Sequence, residues 1–229
     1  MNILAIDTST ASGSVALLQE GRVSFEKFLE ARTTYSEKFM IGLEALLQEA
    51  GISIKGVEGV AVARGPGVFT GLRIGIGVAK ALAYSLQIPL WGISTLKALA
   101  SVTGLQEGRV LACMDARKDE FFVGGYEMVQ GRAGPPFVKE ALVPMEGVHR
   151  LGSDPHSSLL VMSEETCLHF KEKGLDWREV VGDRLHIQSL SARIIGQLAW
   201  LRHQAQESDE ALTLSPCYLK VSDAERRSA

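Results

Sequence analysis

The junction between an apolar run and a long helical pattern constrains the fold of this chain more than any other feature. Residues 57–63 form a run that predicts a buried strand, and residues 70–86 have the spacing of a helix. Gly65, Pro66 and Gly67 join them. Proline fixes one φ angle, while glycine reaches dihedral angles closed to other residues. The pattern predicts a tight strand–turn–helix junction that brings bare backbone close to either a phosphate or another polypeptide.

The phosphate alternative rests on the attraction of helix N-termini for anions. The sequence fits neither common nucleotide fingerprint. The Gly-x-x-x-x-Gly-Lys-Ser/Thr loop is excluded because the segment lacks its lysine, and Gly65 and Gly67 are followed three positions later by Thr70 rather than glycine. A generic nucleotide loop therefore remains one interpretation, beside a plain tight joint between a strand and a helix.

Bulk properties narrow the class of protein. The 229 residues suffice for one large domain or two small lobes, and the net charge of −3 offers no basic field for nucleic acid. Cys113, Cys167 and Cys217 form neither a metal-spaced pair nor a disulfide framework, as expected in a reducing compartment. The N-terminus lacks a signal-peptide pattern, and the apolar stretch at residues 74–86 is too short to cross a bilayer. We expect a soluble, cytoplasmic protein without a membrane partner.

The order of predicted elements indicates an α/β fold with a duplication. The first hundred residues read β-β-β-α-β-α-β-α, with strands at 3–6, 14–18, 22–30, 57–63 and 90–93 and helices at 36–50, 70–86 and from about 95. Thr34 and Glu37 form a potential capping box for the first helix. The second half begins again with a strand at 110–114, followed by strands at 121–126, 137–143 and 159–162 and a helix at 191–206.

Two of these strands end in an aspartate, Asp7 and Asp115, and each is followed by a small-residue turn. A duplicated β-β-β-α-β-α-β-α unit is typical of the two-lobed actin-like fold (ASKHA, RNase H-like), in which the first-strand aspartate organises the metal of a nucleotide between the lobes. We predict lobes at residues 1–105 and 106–229, with the helix at 191–206 packing back towards the first lobe. Alternatively, each aspartate only caps its turn.

Several segments together resemble the bacterial TsaB/YeaZ family over nearly the whole chain: residues 3–9, residues 64–75, Asp115-Ala116-Arg117, and Pro216-x-Tyr218-Leu219-Lys220. The resemblance implies an actin-like, non-catalytic subunit of the complex that installs N6-threonylcarbamoyl on adenosine 37 of tRNA. It further implies pairing with the catalytic paralogue TsaD, a TsaE-type ATPase as third component, a homodimer when the chain is alone, and tRNA reached through the complex. Asp115 and Arg117 belong to the family motif.

Catalytic chemistry of the related enzymes is not expected here. The catalytic paralogues hold a metal with a closely spaced histidine pair on an early helix. This chain has five histidines, all in its second half and none spaced i, i+4, so we predict no metal site. It also lacks a Gly-x-Ser-x-Gly elbow and a catalytic cysteine signature, which argues against the peptidase activity suggested by the family's former grouping with glycoproteases.

The sequence also argues against strong nucleotide binding. Glu164 and Glu165 stand where an actin-like ATPase offers glycines to its nucleotide, and carboxylates repel a polyphosphate. Asp7, Thr8 and Ser9 are left as a degenerate, weak nucleotide site. We expect no cofactor requirement for this chain, with ATP or ADP and Mg²⁺ confined to the assembled complex. The rival hypothesis is an actin-like ATP-dependent small-molecule kinase or ATPase that uses Asp7.

The helix at 70–86 is apolar nearly all round, and Gly71 and Gly75 would let another backbone approach it. A central core helix would show the same pattern, but the resemblance favours a partner interface together with the helix at 36–50. Arg73 opposes the helix dipole and could serve this interface or a surface ion pair with Glu37 or Glu44. The predicted interface comprises Phe39, Met40, Leu43, Gly65, Pro66, Gly67, Phe69, Thr70, Gly71, Arg73, Ile74, Gly75 and Val78. Gly75→Arg or Val78→Glu should then abolish pairing and leave the fold intact.

Overall fold

The computed structural model describes residues 1–10, 12–29, 35–153 and 159–220. Within them the chain forms ten strands and seven α-helices. In chain order these are β1 Asn2–Asp7, β2 Gly13–Gln19, β3 Arg22–Leu29, α1 Tyr35–Glu49, β4 Gly59–Gly65, α2 Phe69–Leu86, β5 Leu90–Ser94, α3 Thr95–Ser101, β6 Glu107–Asp115, β7 Glu120–Val129, β8 Arg132–Pro144, α4 Met145–Gly152, β9 Leu159–Met162, α5 Glu164–Glu172, α6 Trp177–Val181, β10 Leu185–Ile187 and α7 Ala192–Gln204.

The chain divides into two compact units. The first comprises Met1–Thr95 and Ser191–Cys217, and the second comprises Leu96–Leu190 and the chain from Tyr218 onward. Each unit contains one five-stranded mixed sheet, with strand order β3-β2-β1-β4-β5 in the first and β10-β9-β6-β7-β8 in the second.

The two sheets have the same topology. β1 pairs antiparallel with β2 and parallel with β4, and β6 pairs antiparallel with β7 and parallel with β9. The hairpins that follow also correspond, because Glu20-Gly21 and Gln130-Gly131 both turn with two successive positive φ angles. Such two-residue turns match the twist of the strands they join, and glycine suits the second position. The predicted duplicated α/β unit is confirmed.

The sheet of the first unit is covered on both faces. Leu4, Ile6 and Val15 point to the face on which α1 and α2 pack. On the opposite face lies α7, where Gly196 lies against Ala5 and Leu18. Neighbouring residues of β1 therefore face opposite sides, as the two-residue period of a strand requires. The outer sides of α1 and α2 lie away from the sheet.

The core of the second unit follows the same rule. Val110 and Ala112 of β6 pack with Leu96 and Leu99 of α3 on one face. The intervening residues of β6, Leu111 and Cys113, lie on the other face with Phe170 of α5 and Trp177 of α6. The stacked rings of Phe121 and Phe170, with centroids 4.1 Å apart, form the centre of that second layer.

The division into units differs from the predicted lobes at residues 1–105 and 106–229. Helix α3 belongs to the second unit because its apolar side chains are buried against β6. Helix α7, which was predicted to pack back towards the first lobe, belongs to the first unit. Three helices, α4, α5 and α6, were not predicted, since eight, nine and five residues are too few to show a clear helical period. Thr34 of the predicted capping box lies outside the described residues. No helix in the described parts of the chain is long and apolar enough to cross a membrane.

Candidate functional site at the end of strand β1

Strand β1 ends at Asp7, whose carboxylate closes the turn that follows. Its Oδ1 accepts hydrogen bonds from the Ser9 backbone N–H at 2.9 Å and from the Ser9 hydroxyl at 2.6 Å. The side chain has no exposed surface, and Oδ2 finds no hydrogen-bond partner among the described residues. Burial raises the pKa of Asp7 to about 6 although the two bonds from Ser9 lower it. The carboxylate is thus held where its charged form is disfavoured.

Thr8 and Ser9 are also fully buried, and both bind the start of α2. The Thr8 hydroxyl donates to the Gly71 carbonyl at 2.8 Å. The Ser9 carbonyl accepts the backbone N–H of Val68, also at 2.8 Å. The turn after β1 and the first turn of α2 are therefore joined directly, through one side-chain and one main-chain hydrogen bond.

The glycines around α2 make this approach possible. A Cβ atom at Gly71 would lie 2.0 Å from the Thr8 carbonyl oxygen, and one at Gly75 would lie 2.2 Å from Thr8 Oγ1. A Cβ atom at Gly67 would lie 2.3 Å from the Ser9 carbonyl oxygen. From the sequence this bare backbone is predicted to face a phosphate or another polypeptide, with a plain tight joint as the alternative. The structure places the chain's own β1–β2 turn against it.

Other members of the predicted interface are also inside the first unit. Phe39 and Leu43 are buried in the core beneath α1. Gly65 and Pro66 are buried in the β4–α2 turn, and the adjacent Arg64 carbonyl accepts the N–H of Cys217 at 2.7 Å. These residues, like Gly67, Gly71 and Gly75, have an intramolecular role that sequence spacing did not reveal.

The remaining predicted residues lie at the surface. Met40, Thr70 and Arg73 are exposed, and Phe69, Ile74 and Val78 are half-buried. The Arg73 guanidinium lies over the Phe69 ring, 3.8 Å from its centroid, which is the geometry of a cation–π contact.

Four further residues on the solvent side of the two helices, Ile41, Gly77, Ala81 and Tyr84, are exposed but were not predicted as part of the interface. We call the full exposed set the outer helix surface: Met40, Ile41, Thr70, Arg73, Gly77, Ala81 and Tyr84. The signal was present in the sequence, since residues 70, 73, 77, 81 and 84 follow the helical period on the side of α2 opposite to Gly71 and Gly75.

The second aspartate, Asp115, ends β6 in a related way. Its Oδ1 accepts the Arg117 backbone N–H at 2.7 Å, and its Oδ2 lies 3.1 Å from His169 Nδ1. The Arg117 side chain is exposed. Glu164 and Glu165 occupy the first turn of α5 after its cap, Ser163, where acidic side chains are favoured by the helix dipole.

The arrangement at Asp7 cannot contact a solute in this conformation, because none of Asp7, Thr8 and Ser9 has exposed surface. Within the described ranges, no group of three or more His, Cys, Asp or Glu side chains could hold a metal ion. The geometry is that of a carboxylate built into a turn and covered by a helix.

The fold itself defines an actin-like α/β protein. It matches the structure of a Listeria monocytogenes protein named as a candidate N-acetylmannosamine kinase with a TM-score of 0.50, over 89% of this chain and 100% of that one. The sequences are 11% identical, so this match shows the fold alone.

Closer relatives define the family. The structure of YeaZ from Pseudomonas aeruginosa matches with a TM-score of 0.79 and 32% identity, over 95% of this chain and 99% of that one. The tRNA threonylcarbamoyladenosine biosynthesis protein TsaB of Bacillus subtilis is 29% identical, over 99% of this chain and 97% of its own length. Residues 29–178 also match the family model described as TsaD, tRNA N6-adenosine threonylcarbamoyltransferase. The chain belongs to the TsaB/YeaZ family.

Proposed function

We propose that this chain is a non-catalytic, activating subunit in the biosynthesis of threonylcarbamoyladenosine in tRNA. It pairs in the cytoplasm with a TsaD-type catalytic paralogue, and a TsaE-type ATPase joins the pair. The biosynthetic role is supported by the name of the Bacillus subtilis relative, which matches over nearly its whole length. In this proposal tRNA is reached through the complex, and ATP or ADP with Mg²⁺ belongs to the assembly.

The closure of the Asp7 site is the observation that carries the non-catalytic role. In the actin-like fold the aspartate at the end of the first strand organises a metal-bound nucleotide. Here Asp7, Thr8 and Ser9 have no exposed surface, and Gly67, Gly71 and Gly75 admit the chain's own turn where a ligand would need space. A group that must bind a nucleotide cannot be sealed in this way, so the geometry favours a structural use of Asp7.

The outer helix surface supports the pairing role. Met40, Ile41 and Tyr84 expose 53%, 65% and 62% of their surface, although all three are large and apolar or aromatic. Gly77 and Ala81 lie on the same side of α2 and are small enough for another helix to approach closely. Exposed apolar patches of this kind mark protein–protein contact sites, and in the absence of the paralogue they favour a homodimer.

A matched pair of arginine substitutions tests this assignment. Ala81→Arg places a long cation in the middle of the outer helix surface. Gln197→Arg places the same side chain at an exposed position of α7, on the opposite face of the sheet. Gly75→Arg is unsuitable, because a Cβ at Gly75 already meets Thr8 and the variant would test folding.

Sedimentation velocity of each variant, alone and with the TsaD-type paralogue, gives the readout. Ala81→Arg should weaken both the homodimer and the mixed dimer by at least about tenfold, because it leaves a charge in a desolvated contact. It should also lower threonylcarbamoyladenosine formation by the reconstituted complex. Gln197→Arg should behave as the parent chain. If Ala81→Arg paired as tightly as Gln197→Arg, the outer helix surface would not be the interface.

A further inference from the structure

The loop that joins β6 to β7 has an unusual backbone. Arg117, Lys118 and Asp119 have φ angles of 63°, 60° and 57°, three successive non-glycine residues in the left-handed region. L-residues enter this region at a free-energy cost and almost always singly. The loop at residues 116–119 must therefore be fixed by contacts from the surrounding structure.

His169 of α5 supplies the first of these contacts. Its Nδ1 lies 3.1 Å from Asp115 Oδ2, and its Nε2 lies 3.1 Å from Asp119 Oδ1. A carboxylate can only accept hydrogen bonds, and a neutral imidazole has only one N–H to donate. Both contacts can be hydrogen bonds only when His169 carries two ring protons. The ring thus joins the end of β6 to the end of the loop as an imidazolium.

The surroundings of the ring favour that charged form. Phe121 of β7 packs edge-on against it, with centroids 5.5 Å apart, and the charged groups acting on the ring are the carboxylates of Asp115 and Asp119. The hydrogen bond to Asp119 raises the pKa of His169 above its usual value, against the opposing effect of burial. Lys173, which follows directly after α5, donates to Asp119 Oδ2 at 3.0 Å, and together with His169 it lowers the pKa of Asp119.

The other end of the loop is fixed by Lys220. Its ammonium group donates to the Ala116 carbonyl at 2.6 Å and to the Arg117 carbonyl at 3.0 Å, and lies 2.9 Å from Glu120 Oε2. None of these contacts involves His169. The side of the loop next to Lys220 therefore stays fixed while the side next to His169 responds to its proton.

We propose that residues 116–119 form a pH-gated loop, in which doubly protonated His169 holds the left-handed conformation that presents the Arg117 and Lys118 side chains outward. When His169 loses a proton, one ring nitrogen presents a lone pair to a carboxylate oxygen. Asp119 separates from the ring because its side chain is 51% exposed against 21% for Asp115, and because Lys173 offers it another partner. At lower pH the contact between His169 and Asp119 holds the loop in this conformation, and at higher pH that contact is lost.

NMR titration of the intact chain tests the proposal, with the His169 ring carbons and the backbone amides of residues 117–119 as probes. His169 should titrate above the ordinary histidine value of about 6.5. The loop amides should shift with the same midpoint. Loop amides that stay unchanged through the His169 transition would overturn the proposal.

Two variants and a control variant distinguish an effect of His169 on the loop from a general pH effect. Asp119→Asn should lower the His169 midpoint, since it removes the carboxylate with the strongest effect on the ring. His169→Gln should abolish the loop transition because glutamine does not titrate. His149→Gln, at an exposed histidine of α4, should leave it intact. Persistence of the loop transition in His169→Gln would refute the gating role.

Discussion

Asp7 and Asp115 accept the same hydrogen bond in the two halves of the chain. Each ends the first strand of its sheet, and each takes the backbone N–H two positions on, at 2.9 Å from Ser9 and at 2.7 Å from Arg117. Their surroundings differ: Asp7 is sealed beneath α2, while the Asp115 side chain is 21% exposed and contacts His169. The duplication therefore extends to the turn, and the two copies have acquired different environments.

Asp7→Asn should stabilise the chain at neutral pH. The pKa of Asp7 rises from 3.8 to about 6 on folding, because the buried site favours the protonated carboxyl group. Its contribution to the free energy of unfolding is therefore complete below pH 3.8 and is lost as the pH rises through about 6. A shift of about two units corresponds to at most about 3 kcal/mol, so the variant should gain about 1–3 kcal/mol over the parent at neutral pH and nothing in acid. Urea unfolding on both sides of this window measures the difference.

The control for this prediction is Glu44→Gln, at an exposed carboxylate on α1. It should change the unfolding free energy by less than about 0.5 kcal/mol at either pH. A gain for Asp7→Asn that was the same in acid and at neutral pH would show that the carboxylate charge is not its source.

Gly71→Ala and Gly77→Ala should have opposite effects within the same helix. A Cβ at residue 71 would lie 2.0 Å from the Thr8 carbonyl oxygen, whereas one at residue 77 would meet no atom of the described chain within 4 Å. We expect Gly71→Ala to lower the unfolding free energy by about 2–4 kcal/mol. Gly77→Ala should raise it by about 0.5–1 kcal/mol through helix propensity. Chemical denaturation gives both values, and equal effects would contradict the close approach to Thr8.

Gly75→Ala should be rescued by a second substitution that cannot rescue Gly71→Ala. The atom that Cβ would meet at Gly75 is the Thr8 side-chain oxygen, while at Gly71 it is a main-chain oxygen. Thr8→Ala removes only the former. A double-mutant cycle should therefore give a favourable coupling of about 1–3 kcal/mol for Gly75→Ala with Thr8→Ala, and little for Gly71→Ala with Thr8→Ala. Two equal couplings would argue against this geometry.

The sequence predicted the parts of the fold that depend on local periodicity. An apolar run predicts β4, the three residues Gly65, Pro66 and Gly67 predict the turn, and a helical pattern predicts α2. The strand ending at Asp115 indicates the duplication. The partner of Gly71 could not be predicted, because Thr8 lies 63 positions away and only the folded sheet brings it close. The alternative prediction for residues 70–86, a central core helix, is correct for the inner face of α2, which packs within its own unit.

The candidate site shows the same limit. Asp7, Thr8 and Ser9 were recognised as a group from their place at a strand end, but their burial depends on α2 lying over them. The exposed side of α2 was recognised only in part, through Thr70 and Arg73, although residues 77, 81 and 84 continue the same helical period. His169 was absent from the prediction, since its two carboxylate partners come from a different element.

Titration of the isolated chain with Mg-ATP by calorimetry, with hydrolysis measured on the same sample, tests the central claim that Asp7 is structural and the chain non-catalytic. We expect neither binding at micromolar nucleotide nor turnover, for the parent chain and for Asp7→Asn alike. Tight binding with Mg²⁺-dependent hydrolysis that disappears in Asp7→Asn would contradict it and make the chain an actin-like ATPase or small-molecule kinase.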